Sequence, residues 1–146
     1  MNTRLYKYPR TYHLPFSPGV SSDDKILPDT ECFKNKEIVI TEKMDGENTT
    51  IYNDYYHARS IDSKHSLYHS FLLGNILPNI QYIIPAYYHI CGEYLYAKHS
   101  IYYDNLDSYF LIFSIWNNNK CLSWDETIAF CKKYNLSIVP ELWRGI

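Results

Sequence analysis

The stretch KEIVITEKMDGENTTIYNDYYHARS, residues 36–60, decides the fold that we predict for this chain. The β-branched run at 36–43 predicts a first strand that ends at Lys43. TTIYN (49–53) and YYHARS (55–60) predict two further strands, and the turn signals DGEN (45–48) and Asn53-Asp54 separate the three. Three short strands joined by tight turns predict an antiparallel meander.

Downstream of the meander, residues from about Ser66 to Ile84 carry apolar side chains at helical spacing, and we expect Pro78 to break that helix. The predicted buried face of this helix consists of Leu67, Phe71, Leu72, Ile76 and Ile80.

The second half of the chain predicts more strands and one capped helix. HICGEYLY (89–96) and YFLIFSIW (109–116) are expected strands, and the second is apolar enough to be central. The asparagines at 117–119 predict a hairpin turn. Ser123 and Glu126 form a capping box that opens a helix to about Asn135, and SIVPEL (137–142) begins another strand. The predicted class is α+β, with antiparallel β-sheets and flanking helices.

Length and composition limit the classes of protein. The 146 residues suit a single domain over 1–146, and the prolines of the first thirty residues predict a mostly irregular leader over 1–30. A net charge of -2 argues against holding nucleic acid by charge alone, whereas 16 tyrosines favour β-structure and permit base stacking. The four cysteines show no zinc spacing. With no signal peptide and no membrane-spanning run, the sequence predicts a cytoplasmic protein without a membrane partner.

Lys43, Asp45 and Gly46 form the candidate chemical site. A lysine at a strand end before Asp and Gly lies at a bend, where its amine can face a cleft and the glycine lets backbone approach a ligand. A lysine amine is a good nucleophile only when it is deprotonated. On spacing alone, a hairpin with a solvated lysine is the more frequent explanation, because short Lys-x-Asp-Gly strings arise by chance.

The wider order of motifs adds a resemblance. TEKMDGENTTIY, HARS, ICGEYLYAKHS and YFLIFSIW occur in that order, and together they resemble the ATP-dependent RNA ligase family of the covalent nucleotidyltransferase superfamily. The resemblance covers nearly the whole chain. It implies the amino-terminal part of a ligase-type nucleotidyltransferase (ATP-grasp-like) domain, present here as a partial adenylyltransferase domain.

The resemblance also implies roles for residues around the lysine. Lys43 matches the nucleophile that attacks the α-phosphorus of ATP and becomes lysyl-AMP. Asp45 and Asn48 match catalytic residues near the phosphates and their metal-bound waters, which makes Asp45 the expected contact of Mg²⁺. Glu42 matches a position near the adenine edge.

Three more matches complete the implied nucleotide pocket. Arg59 matches an arginine that contacts the nucleotide sugar or the attacking end, although an arginine at a strand end also suits a surface charge. Glu93 matches the carboxylate that accepts a hydrogen bond from a ribose hydroxyl. An unpaired carboxylate inside an apolar strand is costly, and a structural salt bridge would explain its presence equally well. Phe113 matches the aromatic that stacks on adenine, although a core phenylalanine is the default in such a strand.

The segment YPRTYHLPFSPG (8–19) resembles the leader of one group of these ligases. Arg10 and His13 are expected near the triphosphate of ATP, and the alternative is a proline-rich strap packed across the sheet. Lys64 is a further expected phosphate contact.

The implied function is ATP- and Mg²⁺-dependent sealing of RNA 5′-phosphate to 3′-hydroxyl ends. The Glu-Gly and lysine-strand motifs that follow in the family are not found before Ile146, so we expect this chain alone to seal poorly. Two explanations stay open: the chain is truncated, or it is a short natural protein that needs a second chain. The alternatives are a DNA ligase or capping guanylyltransferase, or a non-catalytic nucleotide- or RNA-binding module.

Overall fold

The computed structural model describes residues 4–62, 64–97 and 99–146. Its strands are β1 (Ile38–Thr41), β2 (Glu47–Ile51), β3 (Tyr56–Ala58), β4 (Tyr88–Tyr94), β5 (Phe110–Asn117), β6 (Lys120–Cys121) and β7 (Glu141–Gly145). Its α-helices are α1 (His69–Phe71), α2 (Leu77–Ile80) and α3 (Trp124–Lys133); a π-helical turn spans Leu72–Ile76, and 3₁₀ turns span Glu31–Phe33 and Gln81–Ile83. In the described ranges, no helix is long and apolar enough to cross a bilayer.

The chain divides into two compact units. The larger unit comprises Met1–Tyr8 and Lys43–Pro140, and the smaller comprises Pro9–Glu42 and Glu141–Ile146. In the smaller unit β1 pairs antiparallel with β7, so that Ile40 lies opposite Trp143. The predicted meander is therefore wrong in its first strand, and β1 ends at Thr41 rather than at Lys43. The partner of β1 lies about a hundred residues away in sequence, where local turn signals give no information about it.

The larger unit holds a five-stranded antiparallel sheet in the order β3-β2-β4-β5-β6. The predicted hairpin of β2 and β3 is confirmed, with Thr50 opposite His57. β5 has a strand on each side, as its apolar sequence predicted, and Asn118 makes the following turn with a φ of 52°.

One face of this sheet is covered by the helical segment 69–83. The core between the sheet and this segment contains buried side chains of both: Ile51, Ile90, Ile112 and Ile115 of the sheet, and Leu72, Ile76, Leu77 and Ile80 of the helical segment. Leu72, Ile76 and Ile80 are buried as predicted, but Leu67 is 91% exposed because it precedes the first helical turn. Pro78 does not end the helical segment, since it lies in the first turn of α2, where a missing N–H is tolerated.

Helix α3 begins at the predicted capping box. The Ser123 hydroxyl accepts a hydrogen bond from the Glu126 amide at 3.1 Å, and the Glu126 carboxylate accepts one from the Ser123 amide at 2.8 Å. The helix buries Thr127 and Cys131 against the sheet. Antiparallel sheets with a few flanking helices confirm the predicted α+β class.

Candidate active site

The loop that connects the smaller unit to β2 carries the candidate lysine. Met44 is 5% exposed and packs with Leu95, Leu111 and Val139 in a second apolar cluster. This anchor holds the loop in place, whereas the preceding Lys43 is exposed. Burial of Met44 thus fixes the backbone next to the exposed Lys43.

Asp45 is held by a second loop. Its Oδ2 accepts hydrogen bonds from the Ser100 amide at 2.8 Å, the Ser100 hydroxyl at 2.6 Å and the Ile101 amide at 3.0 Å. The hydroxyl bond from Ser100 is the largest of the effects that lower the pKa of Asp45. Its own amide donates to the Tyr103 hydroxyl at 2.8 Å. Asp45 is therefore a fixed carboxylate, and its partners Ser100 and Tyr103 were not predicted from the sequence.

Gly46 joins this loop to β4. Its amide donates a 3.0 Å hydrogen bond to Oε1 of Glu93. Burial raises the pKa of Glu93, while the Gly46 amide and then Lys43 oppose that rise. A Cβ at Gly46 would lie 2.5 Å from the Tyr94 carbonyl oxygen, so only glycine fits this close approach.

Asn48 lies directly opposite Glu93 in the pairing of β2 with β4. Opposite residues of an antiparallel pair share one face of the sheet, so the two side chains are neighbours. The Asn48 Oδ1 is buried and has no hydrogen-bond partner. Such an orphaned acceptor costs about 1–3 kcal/mol and is a feature expected of a ligand site.

A β-bulge in β5 directs Phe113 to the same region. Cys91 pairs with Ser114 and Gly92 pairs with Ile112, which leaves Phe113 as the extra residue on β5. Phe113 is half-buried and packs against the cluster of Leu111, which lies opposite Glu93. In a regular strand the side chains of Phe113 and Ser114 would point to opposite faces of the sheet. A β-bulge changes the direction of the side chain at the extra residue.

The amino-terminal residues cover part of this region. The Tyr8 ring makes an edge contact with Phe113 at 5.3 Å between centroids and another with Trp116 at 6.5 Å. Burial raises the pKa of Tyr8, and Arg59 is among the charges that oppose this rise. Tyr8 begins the leader motif YPRTYHLPFSPG, and no role was predicted for it.

Two predicted site residues of the larger unit, Arg59 and Lys64, are exposed. Arg59 is exposed and directly follows β3. Lys64 is exposed in the segment before α1, where the neighbouring His65 stacks on Tyr56 at 4.2 Å. Their roles stay predictions.

The remaining predicted residues belong to the smaller unit. Arg10 donates to the backbone carbonyl of Asp23, and Nε2 of His13 lies 3.6 Å from Oδ2 of Asp24. Glu42 is half-buried at the end of that unit. Their roles toward ATP likewise stay predictions.

Among the residues described, no group of three His, Cys, Asp or Glu side chains is arranged to hold a metal ion. Mg²⁺ usually keeps several waters and binds through one or two carboxylates together with substrate phosphates. That mode needs few protein carboxylates, and Asp45 stays the predicted protein contact of the ion.

Solved structures with a similar fold were found for this chain. An apo mutant of Naegleria gruberi RNA ligase matches with a TM-score of 0.56 and 18% identity over 79% of this chain. Another mutant of that enzyme, with ATP and Mn, matches with a TM-score of 0.52 and 17% identity over 75% of this chain. The chain spans 38% and 37% of the length of those two proteins, and at such identities the likeness shows the fold.

Comparison with curated proteins found no significant match. The model of the RNA ligase family matches residues 36–146, which include the lysine loop, the Glu93 strand and the bulged strand. This chain belongs to the RNA ligase family.

Proposed function

We propose that this chain carries the adenylylation site of an ATP-dependent RNA ligase, within a nucleotidyltransferase domain that includes residues 1–146. In the first step the Lys43 amine, after losing its proton, forms a P–N bond to the α-phosphorus of ATP, and the P–O bond to pyrophosphate breaks. The AMP then passes to an RNA 5′-phosphate, and a 3′-hydroxyl attacks that end and releases AMP.

The observation that carries this proposal is the hydrogen bond from the Gly46 amide to Glu93. It ties the loop of the exposed lysine to a half-buried carboxylate, and the same contact fixes the spacing between Lys43 and β4. A solvated lysine in an ordinary hairpin would need neither the half-buried carboxylate nor the glycine. Precise spacing is what phosphoryl transfer asks of a protein.

The side chains around this loop fit a nucleotide. Glu93 is an acceptor for a ribose hydroxyl, and the orphaned Asn48 Oδ1 offers another acceptor beside it. Phe113 provides an aromatic surface for a base, worth about 1–3 kcal/mol in comparable sites. Mg²⁺ would neutralise phosphate charge, with Asp45 as its nearest expected protein contact. Arg59, Arg10, His13 and Lys64 are proposed as additional contacts of sugar or phosphate.

The family and its structural relatives support the cofactors and partners of this proposal. RNA ligases act on RNA, and one similar structure contains ATP and Mn. The four cysteines are free, two of them exposed, which suits a reducing compartment such as the cytoplasm.

Two other functions are alternatives. A DNA ligase or capping guanylyltransferase would use the same lysine chemistry on another nucleic acid or nucleotide. A non-catalytic nucleotide- or RNA-binding module would keep the pocket but form no covalent adduct.

The test is incubation with α-labelled ATP or GTP and Mg²⁺, followed by denaturing electrophoresis. We expect a labelled adduct from ATP that is lost in Lys43→Ala and kept in Lys132→Ala, a matched exposed lysine on α3. An adduct that survives Lys43→Ala would refute the nucleophile. Labelling by GTP alone would indicate a capping enzyme, and tight ATP binding without any adduct would support the binding module.

A further inference from the structure

A cavity lies at the opposite end of the five-stranded sheet from the lysine loop. It has a volume of about 570 Å³ and opens where β4 begins and β5 ends. Its wall is mainly aromatic, cationic and amide in character, with contributions from Arg4, Tyr6, Tyr87, His89, Asn118 and Asn119. The adenylylation site uses none of these residues.

His89 is a buried titratable side chain of that wall. It is 4% exposed and stacks in parallel with Tyr6 at 5.0 Å and with Trp116 at 6.1 Å. Burial, and then repulsion by His57, lowers the pKa of His89 to about 4, so the ring is neutral at pH 7. Its Nδ1 is buried and has no hydrogen-bond partner. Such groups are rare in folded proteins unless a ligand or water completes them.

Tyr87 contributes a strained backbone to the same cavity. Its φ is 72°, a left-handed value that is rare for a bulky residue and unfavourable unless neighbouring contacts hold it. The Asn118 amide donates to the Tyr87 carbonyl at 2.7 Å, and the Tyr88 amide donates to Pro85 at 3.1 Å. The strain keeps a tyrosine that is 70% exposed at the cavity wall. Backbone strain of this kind concentrates at ligand sites.

The chemistry of the cavity favours a nucleobase. Tyrosine rings offer stacking surfaces, and the amides of Asn118 and Asn119 offer donors and acceptors for base edges. The guanidinium of Arg4 lies over the Tyr6 ring at 5.1 Å, and Asp54 also lines the cavity. Arg4 can contact a single backbone phosphate, whereas Asp54 disfavours the higher negative charge of a triphosphate. The ligand is therefore better matched by a nucleotide of an RNA strand than by ATP.

We propose that this cavity binds an unpaired nucleobase of the single-stranded RNA substrate, remote from the reacting end. The inference rests on the proposed function for the identity of the nucleic acid. His89 and Glu93 are four residues apart in β4, on the same face of the sheet, which corresponds to about 13 Å. The cavity and the adenylylation site thus lie on one side of the sheet, a few nucleotides apart.

The test is fluorescence anisotropy of a labelled twelve-nucleotide single-stranded RNA at constant salt. We expect Tyr87→Ala to weaken binding by roughly five- to a hundredfold, in keeping with loss of base stacking, and Tyr87→Phe to retain it. Tyr82→Ala is the matched control, because Tyr82 is 80% exposed and does not line the cavity; its affinity should equal that of the wild type.

A second variant separates binding from folding. Tyr87→Gly removes the ring and relieves the positive φ, so it should raise the melting temperature by roughly 1–4 °C while it weakens RNA binding. Unlabelled RNA should displace the labelled RNA, whereas AMP or UMP at the same concentration should not. Equal competition would make this a site for free nucleotides and overturn the assignment to RNA.

The outcomes also distinguish this site from the lysine site. Tyr87→Ala should form the Lys43 adduct with ATP at the wild-type rate. RNA affinity unchanged in both Tyr87→Ala and Arg4→Ala, or no RNA binding by the wild type, would refute the cavity as an RNA site. Absence of the adduct with Tyr87-dependent RNA binding intact would instead refute adenylylation and leave this inference standing.

Discussion

Replacing Gly46 by alanine should damage both the stability and the chemistry of this protein. The added Cβ would lie 2.5 Å from the Tyr94 carbonyl oxygen, 2.7 Å from a Leu95 methyl group and 3.2 Å from Cγ of Glu93. The first of these neighbours is backbone of a central strand and cannot rotate away. The lysine loop must therefore retreat by roughly 0.5–0.9 Å to reach an ordinary contact distance.

The retreat has an energetic cost that follows from the contacts. It lengthens the 3.0 Å bond between the Gly46 amide and Glu93 to about 3.5–3.9 Å, which is no longer a hydrogen bond. Overpacking costs about 1–3 kcal/mol and loss of a bond to a charged group about 1.5–3 kcal/mol. We expect a total of about 2.5–6 kcal/mol and a melting temperature lower by roughly 5–25 °C.

The same shift moves Lys43 relative to the nucleotide, so adduct formation with labelled ATP should slow by roughly ten- to a hundredfold below the melting transition. Gly74→Ala is the matched control, because nothing lies within 4 Å of its added Cβ and the residue is exposed in a helical turn. That variant should be stabilised by about 0.4–1 kcal/mol. Wild-type melting together with wild-type adduct formation by Gly46→Ala would refute the close approach of the loop to β4.

Three further predictions concern other parts of the larger unit. Lowering the pH from 6.5 to about 4 should reduce the free energy of unfolding by roughly 2–3 kcal/mol, because unfolded His89 binds a proton in that window and the buried ring does not. The pKa of His57 is lowered in the same direction. In thermal melts, the stability of His89→Asn should depend less on pH than that of the wild type. Ser123→Ala should cost about 1 kcal/mol in urea unfolding through loss of the helix cap, whereas an equally stable variant would refute the capping box. His69→Ala should cost about 2–4 kcal/mol, since it opens a cavity and removes the 2.6 Å hydrogen bond to Glu47; Glu47→Gln, which keeps an acceptor, should cost clearly less, and equal losses would contradict this role.

Local sequence signals predicted the elements whose causes are local. The capping box from Ser123, the turn after Asn117 and the pairing of β2 with β3 depend on residues a few positions apart, and all three are confirmed. The candidate site residues were found through the order of motifs along the chain. Nothing in local spacing distinguished Lys43 from a solvated surface lysine.

Other features depend on neighbours far apart in sequence. β1 pairs with β7 because strands need partners, and no periodicity within residues 36–60 identifies a partner near the end of the chain. Asp45 is fixed by Ser100, Ile101 and Tyr103, whose hydrogen bonds form only when two loops meet. Leu67 shows the reverse error, since helical spacing included a residue that precedes the helix.

By itself the sequence determined the α+β class, the lysine loop and the family, because residue types and motif order are properties of the chain. Tertiary structure alone decided how that loop is held. The glycine contact with β4, the bulge at Phe113 and the contact of Tyr8 with Phe113 all arise from close packing between distant segments. Packing acts through distances of a few tenths of an ångström, and linear spacing carries no record of such distances.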